Sequence, residues 1–248
     1  MKKIILVRHA TAAAKGPDIE DFTRSLRKKG HKECRAMIRW YLDNVDEMAD
    51  LMLSSPANRA IETALLFAKG LGYKPKKISR NEGLYGTASS KDFLDILKSL
   101  DEEIDSVMVF GHDPEFSEFA QYMVNGFETV LPKCSVFGFN VNRKSWKTIK
   151  PGDGKLEYFE YPEGLLQKRE RAKRLRRDAA ERIEGGIWDA LAEFGVERPE
   201  GDAGGSAKIA RRASARVAKS FSDRLIDPNG TIPPKAKDGE LSAEETSE

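Results

Sequence analysis

The sequence is poor in the residues that build disulfide frameworks and metal sites. Its 248 residues include two cysteines and three histidines. Cys34 and Cys134 are far apart and lack metal-ligand spacing, so we expect free thiols in a reducing cytoplasm. No Asp, Glu and His cluster has ligand spacing, and no glycine-rich nucleotide loop is present. We therefore expect neither a metal ion nor an organic cofactor.

Long hydrophobic runs and a bias in charge are also missing. No apolar run approaches the ~20 residues of a membrane span, and residues 4–7 are too short for a signal-peptide core. A net charge of +2 hides 42 basic side chains against 40 acidic ones. This even mixture does not indicate nucleic acid as a partner. We expect a cytoplasmic protein that does not contact a membrane, and the composition leaves its oligomeric state undetermined.

Strand and helix patterns alternate along the first 160 residues. Short apolar runs predict buried strands, and apolar positions at helical spacing predict the helices between them. Such alternation predicts a three-layer α/β/α fold with a mostly parallel sheet. The predicted strands are 3–7, 50–54, 76–80, 105–110 and an antiparallel pair at 134–141 and 146–149; the predicted helices are 25–45, 55–70, 90–100 and 114–126.

Composition changes after about Pro162. We predict a helical extension over 161–226, weakened at Gly185-Gly186 and interrupted by a linker at 196–206, and then a disordered tail over 227–248. A basic run at 168–177 holds seven Lys and Arg side chains against one Glu. This run either binds an acidic partner or forms a solvated helix face.

Two histidines stand at the carboxyl ends of predicted buried strands. His9 follows the first strand and Arg8 precedes it, while His112 follows the strand at 105–110. In an open α/β sheet this edge is where ligands bind. The two histidines therefore mark a candidate active site.

Arg59 lies about one turn into the helix that follows the second strand. Its side chain can reach the same sheet edge, near a helix N-terminus that favours an anion. Arginine pairs well with phosphate oxygens, so Arg8, Arg59 and the histidines predict a phosphate pocket. The structural alternative is that Arg59 only pairs with Glu62 or Asp50.

Three sequence blocks resemble the signatures of the histidine phosphatase superfamily, which has a phosphoglycerate mutase-like fold. They are Val7-Arg8-His9-Ala10, Ser54-Ser55-Pro56 through Arg59 to Thr63-Ala64, and Gly111-His112-Asp113-Pro114. The resemblance covers about residues 1–160. The small SixA-like phosphohistidine phosphatases of that superfamily are a closer match, because their Asp and Arg-x-Leu-x-x-x-Gly pattern is similar to Asp21, Arg24, Leu26 and Gly30. The short intervals between the blocks leave no insertion that could build a lid, which suits a phosphate presented on a protein surface.

The resemblance implies a role for each site residue. His9 is the expected nucleophile and forms a phosphohistidine intermediate. Arg8, Arg59 and a protonated His112 are expected to hold the phosphoryl oxygens. Arg24 either contacts substrate or pairs with Asp21, and Thr11 is a further candidate hydrogen-bond donor to phosphate.

The proton donor stays open between two acidic residues. Asp113 follows His112 as in the acid-phosphatase branch, whereas many SixA-like proteins carry a non-acidic residue there. Glu82 occupies the region where the mutase branch places its donor. A structural role for Asp113 as the cap of the helix from Pro114 is equally open.

The expected function is removal of phosphate from phosphohistidine on a protein substrate, without a metal ion. One alternative is a small-molecule phosphomonoesterase, which needs a competent donor at Asp113 or Glu82. Another is a module that binds phosphate without turnover, against which the intact set of site residues argues.

Overall fold

A six-stranded sheet forms the centre of the protein in the computed structural model, which describes residues 1–16, 20–86 and 89–192. The strand order is β3-β2-β4-β1-β5-β6. Strands β1 to β4 pair in parallel, and β5 pairs antiparallel with both β1 and β6. The strands are β1 (Lys2–Arg8), β2 (Leu51–Ser54), β3 (Ser79–Arg80), β4 (Ser106–Gly111), β5 (Val136–Val141) and β6 (Gly154–Glu160).

Two helices pack on each face of the sheet. Helices α1 and α2 share one hydrophobic core with the sheet, and α3 and α4 share the other. The predicted three-layer α/β/α architecture is confirmed, and because five of the six strands run in one direction, so is the mostly parallel sheet. The helices are α1 (Lys28–Asn44), α2 (Asn58–Leu71), α3 (Ser90–Lys98), α4 (Glu115–Met123) and α5 (Pro162–Ala192).

Alternation along the central strands supplies both cores. In β1, Ile4 and Leu6 face the core beneath α3 and α4, whereas Ile5 and Val7 face the core beneath α1 and α2. A strand covered on both faces needs apolar side chains in both directions. This requirement explains why β1 and β4 are continuous apolar runs rather than alternating ones.

Local signals set several helix ends. Ser89 and Asp92 form a capping box that begins α3, which satisfies two backbone N–H groups that have no helical partner. Helix α2 ends at Gly72, whose φ of 75° closes the helix in the left-handed region. The predicted helices at 55–70 and 90–100 therefore exist with slightly shifted ends.

The predicted strand at 146–149 is wrong. Residues Trp146–Thr148 form a 3-10 turn, in which Ser145 accepts a hydrogen bond from the N–H of Lys147. The Trp146 indole is fully buried and donates to the carbonyl of Ile104 at 2.7 Å. The partner of β5 is instead β6, eight residues further along the chain, and the predicted strand at 76–80 shortens to Ser79–Arg80.

The two cysteines meet although a hundred residues separate them. Cys34 on α1 and Cys134 just before β5 are both buried free thiols. The thiol of Cys134 donates to Cys34 Sγ over 3.8 Å. The prediction of free thiols is confirmed, although the sequence does not indicate their contact.

The compact unit that contains the sheet runs from Met1 to Leu166. Helix α5 continues beyond it and passes through Gly185-Gly186 without interruption. The basic side chains of 168–177 lie on α5. The predicted linker, the part of the helical extension that follows it and the predicted disordered tail at 227–248 all lie outside the described residues. The described helices include none with the length and apolarity to cross a membrane.

Candidate active site

The carboxyl ends of β1, β2 and β4 meet at one edge of the sheet and bring the predicted site together. The N–H of His9 donates to the carbonyl of Gly111 at 2.9 Å, and the N–H of Ser55 donates to that of Phe110 at 2.8 Å. These bonds continue the strand pairing just past the strand ends. They place His9 beside His112, with 5.3 Å between the ring centroids.

His9 is held in the tautomer that a nucleophile needs. Its Nδ1 lies 2.8 Å from the carbonyl oxygen of Ala10, which can only accept, so Nδ1 carries the proton and Nε2 keeps its lone pair. Burial lowers the pKa of His9 to about 4, and the charges of Arg59 and Arg8 act in the same direction. The ring is therefore neutral and nucleophilic near pH 7.

The surroundings of His112 also favour its neutral form. Burial and then the charge of Arg59 lower its pKa to about 3, so the expected imidazolium is not the form that this environment favours. Its Nε2 lies 2.8 Å from Ser55 Oγ, and its Nδ1 has no hydrogen-bond partner among the described residues. With Ser55 donating to Nε2, neutral His112 keeps an Nδ1–H that can donate to a phosphoryl oxygen.

The Asp21 carboxylate accepts hydrogen bonds from two arginines, Arg24 after β1 and Arg59 after β2. Arg59 donates to the Asp21 carboxylate at 2.9 Å and to its backbone carbonyl at 2.7 Å. Arg24 donates twice to the same carboxylate and once to the carbonyl of Ala13. Burial would raise the pKa of Asp21, but these arginines lower it to about 2. The alternative partners of Arg59, Glu62 and Asp50, are not the ones it contacts, and Arg24 pairs with Asp21.

Arg8 and Asp113 form a second polar group at the pocket. Arg8 donates to the carbonyl of Leu131, and its Nη1 lies 3.6 Å from Asp113 Oδ2. The hydroxyl of Ser117 accepts from the N–H of Leu131 and donates to Asp113 Oδ1. Helix α4 has no side-chain cap at its start. The interpretation of Asp113 as a helix cap is therefore wrong.

Two of the candidate residues do not supply a free group to the pocket. The Thr11 hydroxyl lines the cavity but donates to the buried carboxylate of Glu33 at 2.8 Å. Glu82 is exposed at the start of a 3-10 turn, Glu82–Leu84, and is not among the residues that line the cavity. Of the two proposed donors, the structure brings only Asp113 to the site.

A cavity of about 490 Å³ lies over the two histidines. Basic side chains outnumber acidic ones by six to two among its lining residues. Such a surface favours an anion with more than one negative charge. The lining residues are Arg8, His9, Thr11, Ala12, Ala13, Ala14, Lys15, Asp21, Arg24, Arg27, Arg59, His112, Asp113 and Lys133.

Among the described residues, no group of three or more His, Cys, Asp and Glu side chains is arranged to hold a metal ion. The acidic residues of the pocket are instead paired with arginine: Asp21 with Arg59 and Arg24, and Asp113 with Arg8.

Four residues that hold the site together were not predicted as site residues. The sequence analysis names Asp21 only as part of a motif and as the alternative partner of Arg24, and its spacing of three residues from Arg24 is the signal that indicates it. Ser55 follows the second strand directly, as His9 follows the first, and this equivalence is also visible in the sequence. Tyr85, whose ring lies 5.6 Å from His112, and Ser117 reach the site only through the fold.

The model of the histidine phosphatase superfamily (branch 1) matches residues 4–118. This stretch contains His9, Arg59, His112 and Asp113. No curated protein matches the sequence significantly. The match over residues 4–118 agrees with the family prediction made from the three sequence blocks.

Solved structures of SixA phosphatases share the fold. The protein histidine phosphatase SixA in complex with tungstate is 21% identical, with a TM-score of 0.57 over 66% of this chain and 99% of its own. A phosphohistidine phosphatase SixA assigned in Agrobacterium tumefaciens is 24% identical, with a TM-score of 0.55 over 65% and 99%. One from Nakamurella multipartitia is 17% identical, with a TM-score of 0.55 over 65% and 96%. At these identities the likeness establishes the fold.

Proposed function

We propose that this member of the histidine phosphatase superfamily removes the phosphoryl group from phosphohistidine on a protein, through a phosphohistidine intermediate at His9. The observation that carries the proposal is the Nδ1 hydrogen bond of His9 to the Ala10 carbonyl. It leaves Nε2 as a buried, uncharged nucleophile beside Arg8, Arg59 and His112.

The first step forms a bond between His9 Nε2 and phosphorus while the bond from phosphorus to the substrate imidazole breaks. Arg8, Arg59 and the Nδ1–H of His112 stabilise the charge on the transferred oxygens. The electron pair of the broken bond stays on the substrate imidazole, which takes up a proton. In the second step water attacks phosphorus, and the bond to Nε2 breaks to release inorganic phosphate and restore His9.

An imidazole leaving group suits the polar environment of Asp113. Both oxygens of the Asp113 carboxyl group already have partners, Arg8 at 3.6 Å on one and the Ser117 hydroxyl on the other. An alkoxide leaving group needs a proton in the transition state far more than imidazole does, so a leaving imidazole depends less on Asp113. This difference supports phosphohistidine as the substrate, as does the named activity of the SixA structures that share the fold.

A small-molecule phosphomonoesterase is the second candidate. The observation that favours it is that Asp113 lines the cavity together with His9 and His112. Asp113 would then donate to an alkoxide. The two candidate functions therefore differ in the leaving group, which is imidazole for phosphohistidine and an alkoxide for a phosphomonoester.

The test compares a phosphohistidine peptide with an alkyl phosphate, each with and without EDTA. We expect hydrolysis of the peptide to exceed that of the ester, to be unaffected by EDTA, and to pass through an acid-labile phosphoenzyme. His9→Ala should abolish turnover and the phosphoenzyme, whereas His31→Ala, on α1 outside the cavity, should keep both. Loss of activity in EDTA that a divalent ion restores would contradict the mechanism, and phosphate binding without turnover would identify a binding module.

A further inference from the structure

The cavity is larger than the group that reacts in it. Pockets of ~300–1,000 Å³ hold whole small molecules, so a phosphoryl group fills only part of this cavity of about 490 Å³. A phosphoryl group brings at most about two negative charges. The lining has four more basic than acidic side chains, so a bound phosphoryl group leaves positive charge uncompensated.

The uncompensated charge lies on two rim residues. Arg27 and Lys133 line the cavity with exposed side chains. Neither forms an ion pair among the described residues, whereas Lys15, the other exposed cation of the lining, lies 3.4 Å from Asp21. Arg27 and Lys133 are therefore available to a ligand.

Backbone hydrogen bonds fix both rim residues beside the nucleophile. The N–H of Arg27 donates to the carbonyl of Thr11 at 2.9 Å, and the N–H of Cys134, which follows Lys133, donates to the carbonyl of His9 at 3.2 Å. The two cations therefore flank the loop that carries His9. A ligand that places its phosphoryl group on His9 brings its neighbouring groups close to both.

We propose that Arg27 and Lys133 bind a second anionic group of the substrate, next to the phosphoryl group. This inference rests on the proposed function and specifies its substrate class. The second anion is a carboxylate beside the phosphohistidine of a protein or a second anionic group of a small molecule, which share the same chemistry. Because the rim cations are exposed, their contribution should fall as ionic strength rises.

The peptide arm compares two phosphohistidine peptides whose neighbouring residues are Asp in one and Asn in the other. We expect kcat/KM to be about tenfold higher for the Asp peptide, the size expected of two exposed ion pairs. Arg27→Gln and Lys133→Gln together should bring this ratio close to one. Lys144→Gln, an exposed lysine outside the cavity, should leave the ratio unchanged. Lys133→Glu should shift the preference towards a peptide with Lys neighbours.

The small-molecule arm uses inhibition constants and needs no turnover. Propane-1,3-bisphosphonate should inhibit more strongly than propylphosphonate if a small molecule is the source of the second anion, and the double variant should lose that difference. An effect in one arm alone supports the proposal and identifies the source. The proposal is overturned if the double variant changes neither the ratio of kcat/KM values for the two peptides nor the ratio of inhibition constants for the two phosphonates.

The two arms separate this inference from the proposed function. If neither peptide is hydrolysed, the proposed function fails, and the inhibition ratios still decide whether the rim binds a second anion. If both peptides are hydrolysed equally and the ratio of inhibition constants is the same for the wild-type protein and the double variant, the proposed function stands and the rim proposal is wrong.

Discussion

Two histidines of the same pocket have opposite hydrogen-bond arrangements. His9 gives its Nδ1 proton to the backbone and keeps Nε2 free, whereas His112 uses Nε2 with Ser55 and keeps Nδ1 free. A nucleophile needs a lone pair towards phosphorus, and a phosphate-binding group needs a proton towards oxygen. The neighbours of each ring therefore suit His9 to the proposed attack on phosphorus and His112 to the proposed binding of a phosphoryl oxygen.

Asp113 should matter differently for different leaving groups. Asp113→Asn removes a proton donor but keeps an oxygen for the Ser117 hydroxyl. If Asp113 is the general acid, the substitution should lower kcat/KM by ~10²-fold or more on an alkyl phosphate and much less on phosphohistidine. Steady-state kinetics on both substrates measure the difference.

Ser117→Ala is the companion variant, because it removes the contact to Asp113 without changing the carboxyl group. It should show a weaker form of the same substrate dependence. Equal and large losses on both substrates for Asp113→Asn would mean that the residue organises Arg8 rather than donating a proton.

Arg59 should contribute to catalysis more than to stability. Its removal leaves Asp21 paired with Arg24, so no unpaired carboxylate remains. We expect Arg59→Ala to lower kcat/KM by at least ~10²-fold with little change in the free energy of unfolding. Arg24→Ala, which leaves the pair of Arg59 with Asp21, should cost less activity.

Urea unfolding and steady-state kinetics on the same preparations test this order. A large loss of stability in Arg59→Ala that matches the loss of activity would show that the ion pair with Asp21 is mainly structural.

At the scale of elements, helix α1 packs closely against the loop that carries His9. A Cβ added to Gly30 would lie 2.4 Å from the carbonyl oxygen of Thr11. The same carbonyl accepts the N–H of Arg27, and the Glu33 carboxylate accepts the N–H of Thr11. The start of α1 therefore sets the position of the loop after β1.

Gly30→Ala should lower both stability and activity. Alanine normally stabilises a helix by ~1 kcal/mol relative to glycine, but here the backbone of Thr11 must move, and such overpacking costs ~1–3 kcal/mol. We expect a net decrease in the free energy of unfolding, and a lower kcat/KM because the His9 loop shifts. Thermal unfolding and kinetics measure both.

Gly186→Ala is the matched control within α5, since its Cβ would meet no atom within 4 Å. It should leave activity unchanged. If Gly30→Ala instead raised stability and kept full activity, the close contact between α1 and the Thr11 loop would not be a constraint.

At the scale of the whole molecule, the buried histidines make stability depend on pH. The pKa values of His9 and His112 fall to about 4 and about 3 on folding, from an ordinary value near 6.5. Between these values and 6.5 the unfolded chain binds more protons than the folded one, so acid favours unfolding. Stability should be constant above about pH 7 and fall as the pH drops from 6.5 towards 4.

Urea unfolding at pH 7.5 and pH 5 measures this dependence. Each pKa unit corresponds to ~1.4 kcal/mol, so the two histidines together should contribute a decrease of a few kcal/mol. His9→Gln with His112→Gln should flatten the dependence, whereas His31→Gln should not. A pH dependence that survives the double substitution would contradict the assignment to these two rings.

The sequence alone determined the architecture and placed two histidines at one edge of the sheet. Apolar runs such as that of β1 predict buried strands because a strand covered on both faces needs apolar side chains on both, and His9 and His112 follow such strands directly. A residue next to a strand end is carried to the sheet edge by the backbone itself. Its position can therefore be predicted from its neighbours in the chain.

Only the tertiary structure decided which side chains meet. Asp21 contacts Arg59 across 38 residues, Cys34 contacts Cys134 across 100, and Glu82 lies outside the cavity that its motif suggested. The burial of Trp146 against Ile104 likewise replaced a predicted strand with a turn. Contacts of this kind depend on how elements pack and on the reach of each side chain, and the local pattern of a sequence contains neither.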